Sequence, residues 1–244
     1  MIDVAIGPNV NMLLEALPHS QWARWKPRLE SVDLALGQVL HESGATLQYV
    51  YFPINAIVSL LYEMSNGVSA EVAIVGREGL VGISAFMGGD SMPGRAVVQC
   101  AGRGARLDAR IVKDDFGTSD SVMHLLLRFT QALMAQVAQT VVCTRHHSLD
   151  QQLCRWLLLS LDRIDGNELV LTQDLIAKMI GVRREGVTEA AAKLQNLDLI
   201  RYSRGHIVVL DRAGLERRSC ECYAVVQKEY DRLLRERIDA TARS

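Results

Sequence analysis

The sequence predicts an α+β protein: an antiparallel, jelly-roll-like β-roll, then one long helix, then a helical domain that includes a β-hairpin. Three observations support this order. Apolar and polar residues alternate in short runs over 32–111, apolar residues recur every three to four positions over 121–144, and helix and hairpin signals follow one another over 171–210. A chain of 244 residues with 49% hydrophobic residues can bury more than one core.

The β-roll is predicted from apolar runs that turn residues separate. These runs lie at 32–36, 49–52, 57–62, 68–75, 95–100 and 106–111. Asn66 and Gly67 stand between the third and the fourth run, and Asn-Gly between two β-runs is a strong hairpin signal. A helical segment precedes the first run, and we expect its Trp22 and Trp25 to cover one end of the roll as core residues.

Residues 121–144 are predicted to form a helix with a broad apolar face. One stripe contains Leu126, Phe129, Leu133, Val137 and Val141, and a second stripe beside it contains Met123, Leu127, Met134, Ala138 and Val142. A membrane span is the alternative, but polar residues interrupt the segment, which lacks about 20 consecutive apolar residues. A broad face instead indicates burial on two sides, against the β-roll and against a second copy of the chain. The sequence therefore predicts a homodimer.

Residues 171–210 have the pattern of a helix-turn-helix that a β-hairpin follows. Thr172 is the predicted N-cap of the first helix, Gly181 permits the turn, and the second helix covers 184–197. The hairpin turns at Ser203, Arg204 and Gly205. This is the layout of a winged helix, which inserts its second helix into the major groove of double-stranded DNA. An ordinary helical hairpin with solvated charges is the alternative interpretation.

The candidate DNA contacts are the polar residues at the start of the second helix and around it. Those on the second helix are Arg183, Arg184, Glu185, Thr188 and Glu189, and the weaker phosphate candidates are Thr172, Gln173, Arg204 and His206. The net charge of −1 conceals a modest positive excess over 171–218. Phosphate binding requires a basic face and not a basic chain, so the overall charge is compatible with DNA binding.

The segment 172–210 resembles the C-terminal domain of Crp/Fnr-type bacterial transcription regulators, in which a winged helix follows a cyclic-nucleotide-binding-like β-roll and a long dimer helix. A well-known recognition helix of that family opens with the motif R-E-T-V-x-R. Arg184, Glu185 and Val187 match that motif, whereas Glu189 replaces its last arginine. The resemblance implies that Arg184 binds a guanine edge and that Glu185 accepts from a cytosine amino group, pairings that suit those edges.

This resemblance also implies how the chain is divided and with what it interacts. The expected units are a sensor β-roll at 1–118, a dimerisation helix and hinge at 119–146, and a DNA-binding domain at 147–244, with further helices at 148–164 and 211–238. A dimer would read a near-palindromic site. An activator of this type would also contact RNA polymerase. Because 1–17 lacks the basic start of a signal peptide, we expect a cytoplasmic protein without a membrane association.

The glycine-rich stretch 76–96 lies where cyclic-nucleotide-binding relatives carry their phosphate cassette. Those relatives have Gly-Glu-Leu, whose Glu accepts from the ribose hydroxyl, but this chain has Gly82, Ile83 and Ser84. Isoleucine cannot accept that hydrogen bond, and an unpaired buried polar group costs about 1 to 3 kcal/mol. In those relatives an arginine pairs with the cyclic phosphate, and Arg95 is a remnant of that motif. Gly82, Ser84 and Arg95 are therefore the ligand candidates, for a small molecule other than a cyclic nucleotide or for no ligand.

No cofactor, metal site or catalytic site is predicted. The iron-sulfur members of the family carry N-terminal cysteines, and the first 99 residues here contain none. Cys220 and Cys222 fall in a predicted helix, where residues i and i+2 point in different directions, and the adjacent His146 and His147 also diverge. A Walker loop and a nucleophile elbow are missing, which argues against an enzyme. The alternative function is a small-molecule-binding regulatory module whose winged helix contacts protein and not DNA.

Overall fold

The computed structural model describes residues 11–235 of the chain. Two short helices begin the described part, α1 (Met12–Glu15) and α2 (His19–Trp25). Seven strands follow: β1 (Glu30–Leu34), β2 (Val39–His41), β3 (Tyr49–Pro53), β4 (Ile57–Glu63), β5 (Ser69–Val75), β6 (Arg95–Cys100) and β7 (Gly102–Asp108). They form two antiparallel sheets with the strand orders β1-β7-β3 and β2-β6-β4-β5, and the predicted β-roll is confirmed.

Local turn signals explain where several strands begin and end. Gly67 has φ +81 between the paired strands β4 and β5, so the predicted Asn-Gly hairpin is confirmed. The last strand was expected to reach residue 111, and this is wrong. Asp108 accepts a hydrogen bond from the backbone N–H of Arg110 at 2.8 Å and thereby caps α3 (Ala109–Thr118). The three-residue strand β2 carries a register shift and is too short for a periodic signal.

The predicted long helix is confirmed as α4 (Asp120–His146). Its residues Leu126, Phe129 and Leu133 are buried in the core that the helix shares with the β-roll. Gly79 allows this close packing, because a Cβ atom there would lie 2.1 Å from Cε2 of Phe129. In the described part of the chain, no helix has the length and hydropathy of a membrane span. Trp25 is buried, as its predicted core role requires.

Within the described residues, the C-terminal part contains five helices and a third sheet. Its helices are α5 (Leu149–Leu161), α6 (Gln173–Ile180), α7 (Arg184–Asn196), α8 (Arg212–Arg218) and α9 (Glu221–Tyr230). The strands β8 (Glu168–Val170), β9 (Ile200–Ser203) and β10 (His206–Val209) form a sheet of order β8-β10-β9. The expected hairpin thus gains a third strand that sequence reasoning missed.

The single helix expected over 211–238 is wrong. Asp211 caps α8 by accepting from the backbone N–H of Gly214 at 2.9 Å, and the backbone is extended at Ser219 and Cys220 before α9 begins. A π-helical turn, Asp231–Arg235, follows α9, and the remainder of the expected helix lies outside the described residues. The interruption allows α9 to pack against α4, a tertiary contact that the helical period alone does not reveal.

A partly buried carboxyl group lies where the β-roll meets the C-terminal domain. Glu71 on β5 accepts a hydrogen bond from the indole N–H of Trp156 on α5 at 2.9 Å. Its other oxygen lies 2.5 Å from Oγ of Ser59, which is also 2.8 Å from Oε1 of Gln99. Burial raises the pKa of Glu71 to about 7. A protonated Glu71 can donate to Ser59 while Ser59 donates to Oε1 of Gln99, so protonation allows both contacts to be hydrogen bonds.

We expect this carboxyl group to make stability depend on pH. Its folded-state pKa of about 7 exceeds the ordinary value of 4.5, so the stabilisation is fully present below pH 4.5 and is lost as the pH rises through 7. The free energy of unfolding should fall by about 3 kcal/mol more between about pH 5 and pH 8 in the unsubstituted protein than in Glu71→Gln. Urea denaturation of both proteins at both pH values measures the difference. Equal pH dependence in the two proteins would contradict the assignment.

Candidate nucleic-acid interface

The turn between α6 and α7 is built as the sequence indicates. Oγ1 of Thr172 accepts a hydrogen bond from the backbone N–H of Leu175 at 3.2 Å, so the predicted N-cap is confirmed. Gly181 has φ +77 at the end of α6, a conformation in which an L side chain is strained. Val187 on α7 is fully buried, and α7 packs against both α6 and α5.

The first two turns of α7 present one polar, solvent-exposed face. Arg183 precedes the helix without a side-chain cap, and all five α7 candidates are exposed or half-buried at the surface: Arg183, Arg184, Glu185, Thr188 and Glu189. The opposite face is buried through Val187, Ala190, Ala191 and Leu194. Gly186 belongs to the inner side, since a Cβ atom there would lie 2.9 Å from Cδ2 of Leu149. A threonine at this position, as in the family motif, would require the end of the Leu149 side chain to shift.

Several candidate residues already contact other side chains of α6 and α7. Oγ1 of Thr188 donates to Oε1 of Gln173 at 2.7 Å, and Nε of Arg184 lies 3.6 Å from Oδ1 of Asp174. Oε1 of Glu189 lies 3.3 Å from Nζ of Lys193. The two ion pairs are exposed, so each holds its side chains only weakly. A phosphate or a base edge could therefore replace these partners at small cost.

The hairpin places its turn beside this face. Arg204 lies at the tip with φ +51 and is exposed, next to Gly205 with φ +83. Nδ1 of His206 lies 2.6 Å from Oε1 of Glu168 on β8, which occupies one ring nitrogen of this phosphate candidate. The hydroxyl of Tyr202 donates to the backbone oxygen of Leu171 at 3.0 Å and anchors the hairpin to the start of α6.

The three β-roll candidates do not converge on one polar pocket. Gly82 has φ +114 and begins a short 3-10 turn, in which Ser84 is buried. Nε of Arg95 lies 2.8 Å from Oε2 of Glu42, and its Nη1 lies 3.3 Å from Oε2 of Glu63. Arg95 and Ile83 line an otherwise largely apolar groove of about 510 Å³ between the roll and α4, which neither Gly82 nor Ser84 lines. A cyclic phosphate would have to displace two carboxylates from Arg95.

A cluster of three cysteines and one histidine lies at the end of α4. Cys143, His147, Cys220 and Cys222 each place one potential ligand atom within 4.8 Å of those of the others. The expectation that Cys220 and Cys222 diverge is wrong, because Cys220 is the extended N-cap residue of α9 and only Cys222 is helical. Cys143 and His147 are four residues apart, a spacing that places side chains on one helix face. This C-x-x-x-H spacing was the available signal in the sequence.

A known family model and several solved structures match this architecture. Residues 151–218 match a family model described as the Crp-like helix-turn-helix domain. FixK2 from Bradyrhizobium japonicum is similar in structure, with a TM-score of 0.66, 15% identity and coverage of 79% of this chain and 98% of that chain. A CRP-family transcriptional regulator from Thermus thermophilus has a TM-score of 0.64 and 19% identity, with coverage of 77% and 96%.

A third similar structure is CLP of Xanthomonas campestris, described as a c-di-GMP responsive global regulator, with a TM-score of 0.62, 14% identity and coverage of 80% and 100%. No curated protein sequence matches the chain. The structures from Thermus thermophilus and Xanthomonas campestris are described as regulators. The chain therefore has the fold of Crp/Fnr-type transcription regulators, with a Crp-like helix-turn-helix domain at residues 151–218.

Proposed function

We propose that this protein is a transcription regulator that binds double-stranded DNA as a homodimer. The observation that carries the proposal is the exposed polar face of α7, beside the hairpin tip, in a Crp-like helix-turn-helix domain. A helix presented in this way fits the major groove, and an arginine in the adjacent hairpin fits the backbone. The proposed units are the sensor roll at 1–118, the dimer helix and hinge at 119–146, and the DNA-binding domain at 147–244.

The dimer is proposed from the outer face of α4. Surface residues recur there at alternating spacings of three and four, the period of a two-helix seam: His124, Leu127, Gln131, Met134, Ala138, Val141 and Arg145. Met134 and Val141 are 64% and 56% exposed in one chain. The inner face of the same helix is already occupied by the β-roll, so a second α4 is the proposed occupant of the outer one. A dimer formed through this face would present two recognition helices related by a two-fold axis, and these would read a near-palindrome.

The proposed base readers are Arg184 and Glu185, with Arg183, Thr188 and Glu189 beside them. Arg184 fits the O6 and N7 acceptors of guanine, and Glu185 fits the amino group of cytosine. Thr172, Gln173, Arg204 and His206 are proposed phosphate contacts. Because Glu189 is paired with Lys193 and Gly186 faces α5, the operator should differ from that of relatives with the full motif.

Arg184→Ala is the direct test of base reading. We expect it to weaken binding to the specific site by about 1 to 3 kcal/mol and to affect random DNA much less, because a bidentate guanine contact is lost. Genome-wide binding first supplies the site, and fluorescence anisotropy at one fixed salt concentration measures both affinities. Arg110→Ala is the matched control, since Arg110 is an exposed arginine on α3 of the β-roll. Equal losses on specific and random DNA would refute base reading by Arg184.

The proposed regulator acts in the cytoplasm without a cyclic nucleotide or an iron-sulfur cluster, and as an activator it would also contact RNA polymerase. The ion pairs of Arg95 with Glu42 and Glu63 support the absence of a cyclic phosphate.

The apolar groove beside Ile83 and Arg95 favours a second candidate function, a small-molecule-binding module whose winged helix contacts protein. Titration of DNA binding with salt separates the two, since neutralised phosphates give a steep dependence on salt that the second function does not require.

A further inference from the structure

Where the end of α4 meets the start of α9, four cysteine and histidine side chains lie close enough together to hold one metal ion. Sγ of Cys143 lies 3.5 Å from Sγ of Cys220, and Sγ of Cys222 lies 3.4 Å from Nδ1 of His147. In a tetrahedral zinc site with Zn–S bonds of about 2.3 Å and Zn–N bonds of about 2.0 Å, neighbouring ligand atoms lie roughly 3.5 to 3.8 Å apart. A disulfide instead requires about 2.05 Å between the sulfur atoms.

The groups around the cluster support the four side chains as metal ligands. Nε2 of His147 lies 3.3 Å from Oε2 of Glu221, which leaves Nδ1 directed toward the cysteines. Histidines that bind zinc commonly direct their second nitrogen at a carboxylate in this way. Nε2 of Gln139 donates to Sγ of Cys222 at 3.1 Å, and such a hydrogen bond stabilises a thiolate.

The cysteines of the cluster are shielded from solvent. All three cysteines are buried, and they form a cluster separate from the main hydrophobic core. Cysteine binds a metal ion as its thiolate, which carries a negative charge. A buried negative charge is costly unless a cation or hydrogen bonds compensate it. Three sulfur ligands and one nitrogen suit Zn²⁺ and fill its four positions.

We propose that Cys143, His147, Cys220 and Cys222 form a structural Zn²⁺ site that fastens the end of α4 to the start of α9. Two ligands come from the end of α4 and its C-cap, and two come from the N-terminus of α9. The hinge between α4 and α5 lies at His147. The metal would therefore fix the orientation of the DNA-binding domain relative to the dimer helix. The proposal is independent of which DNA the protein binds.

Elemental analysis of the purified full-length protein tests the site. We expect one zinc per chain, a loss of most of this zinc in Cys143→Ser and Cys222→Ser, and full retention in Cys100→Ser and Cys154→Ser, whose cysteines lie outside the cluster. Replacement of zinc by Co²⁺ should give the intense thiolate-to-cobalt absorption of a tetrahedral site. Iron in place of zinc, a Cys143–Cys220 disulfide in a metal-free folded protein, or zinc retained by both cluster variants would overturn the proposal.

Glu221→Gln keeps the test decisive if the cysteine variants do not fold. Glu221 is exposed and outside the ligand set, so its substitution should leave the fold intact. Loss of the carboxylate behind His147 should lower zinc affinity by about 10 to 100-fold in competition with a chromophoric chelator. Glu216→Gln, an exposed glutamate on α8, is the matched control. Equal zinc affinities of Glu221→Gln and the control would count against His147 as a ligand.

Discussion

Met134→Glu is expected to convert the proposed dimer into monomers and to weaken binding to the proposed palindromic site by about 10² to 10⁴-fold. Met134 is at the centre of the exposed seam on α4, so the substitution places two like charges near the two-fold axis. Loss of the dimer removes the second half-site contact, and with it the effective concentration that linkage provides. Analytical ultracentrifugation at micromolar concentration measures the mass, and fluorescence anisotropy measures the affinity.

The matched control for this prediction is Met64→Glu. Met64 is 64% exposed, as is Met134, but it lies at the end of the β4–β5 hairpin and away from the seam. We expect Met64→Glu to remain dimeric and to bind DNA as the unsubstituted protein does. A monomeric unsubstituted protein, or dimers in both variants, would refute the assigned seam.

Arg163→Met is expected to lower the free energy of unfolding by about 3 to 5 kcal/mol. Arg163 is buried just after α5, where its Nε donates to Oε1 of Glu78 at 2.8 Å and its Nη2 donates to Oε1 of Gln136 at 2.9 Å. It thus joins the C-terminal helix-turn-helix domain to the β-roll and to α4. Substitution would leave Glu78 as an uncompensated buried charge, which accounts for the size of the effect. Urea denaturation monitored by circular dichroism measures it.

Arg77→Met separates the effect of burial from that of ion pairing. Nη1 of Arg77 lies 3.1 Å from Oδ1 of Asp165, so this pair also joins the two domains, but both side chains are exposed. Exposed pairs contribute about 0 to 1 kcal/mol, and we expect a loss of this size. Equal losses in Arg77→Met and Arg163→Met would show that burial does not determine the contribution of Arg163.

Elements with strong local signals could be predicted from the sequence. The hairpin at Gly67, the N-cap at Thr172 and the turn at Gly181 each depend on interactions within a few residues of one another. Helix α4 was evident because its period persists over several turns. The strand β2, the start of α3 and the break between α8 and α9 were not predicted, since short elements and capped boundaries carry little periodicity.

The candidate DNA-binding face was also largely predictable, whereas the ligand and metal sites were not. The α7 candidates lie within two helical turns, so their common face follows from helical geometry. The pairing of Arg95 with Glu42 and Glu63 required β6 to lie beside its neighbouring strands. The association of Cys143 with Cys220 joins positions 77 residues apart, and no local pattern encodes that contact.

The sequence by itself determined the order of the β-roll, long helix and helix-turn-helix, because hydrophobic period, caps and turn residues act over short distances. Only the tertiary structure decided which face of α4 stays exposed for a partner, how Arg163 and Glu71 connect the domains, and which cysteines meet His147. These features depend on residues brought together across the chain by packing. Their energies arise from burial, which no single segment determines alone.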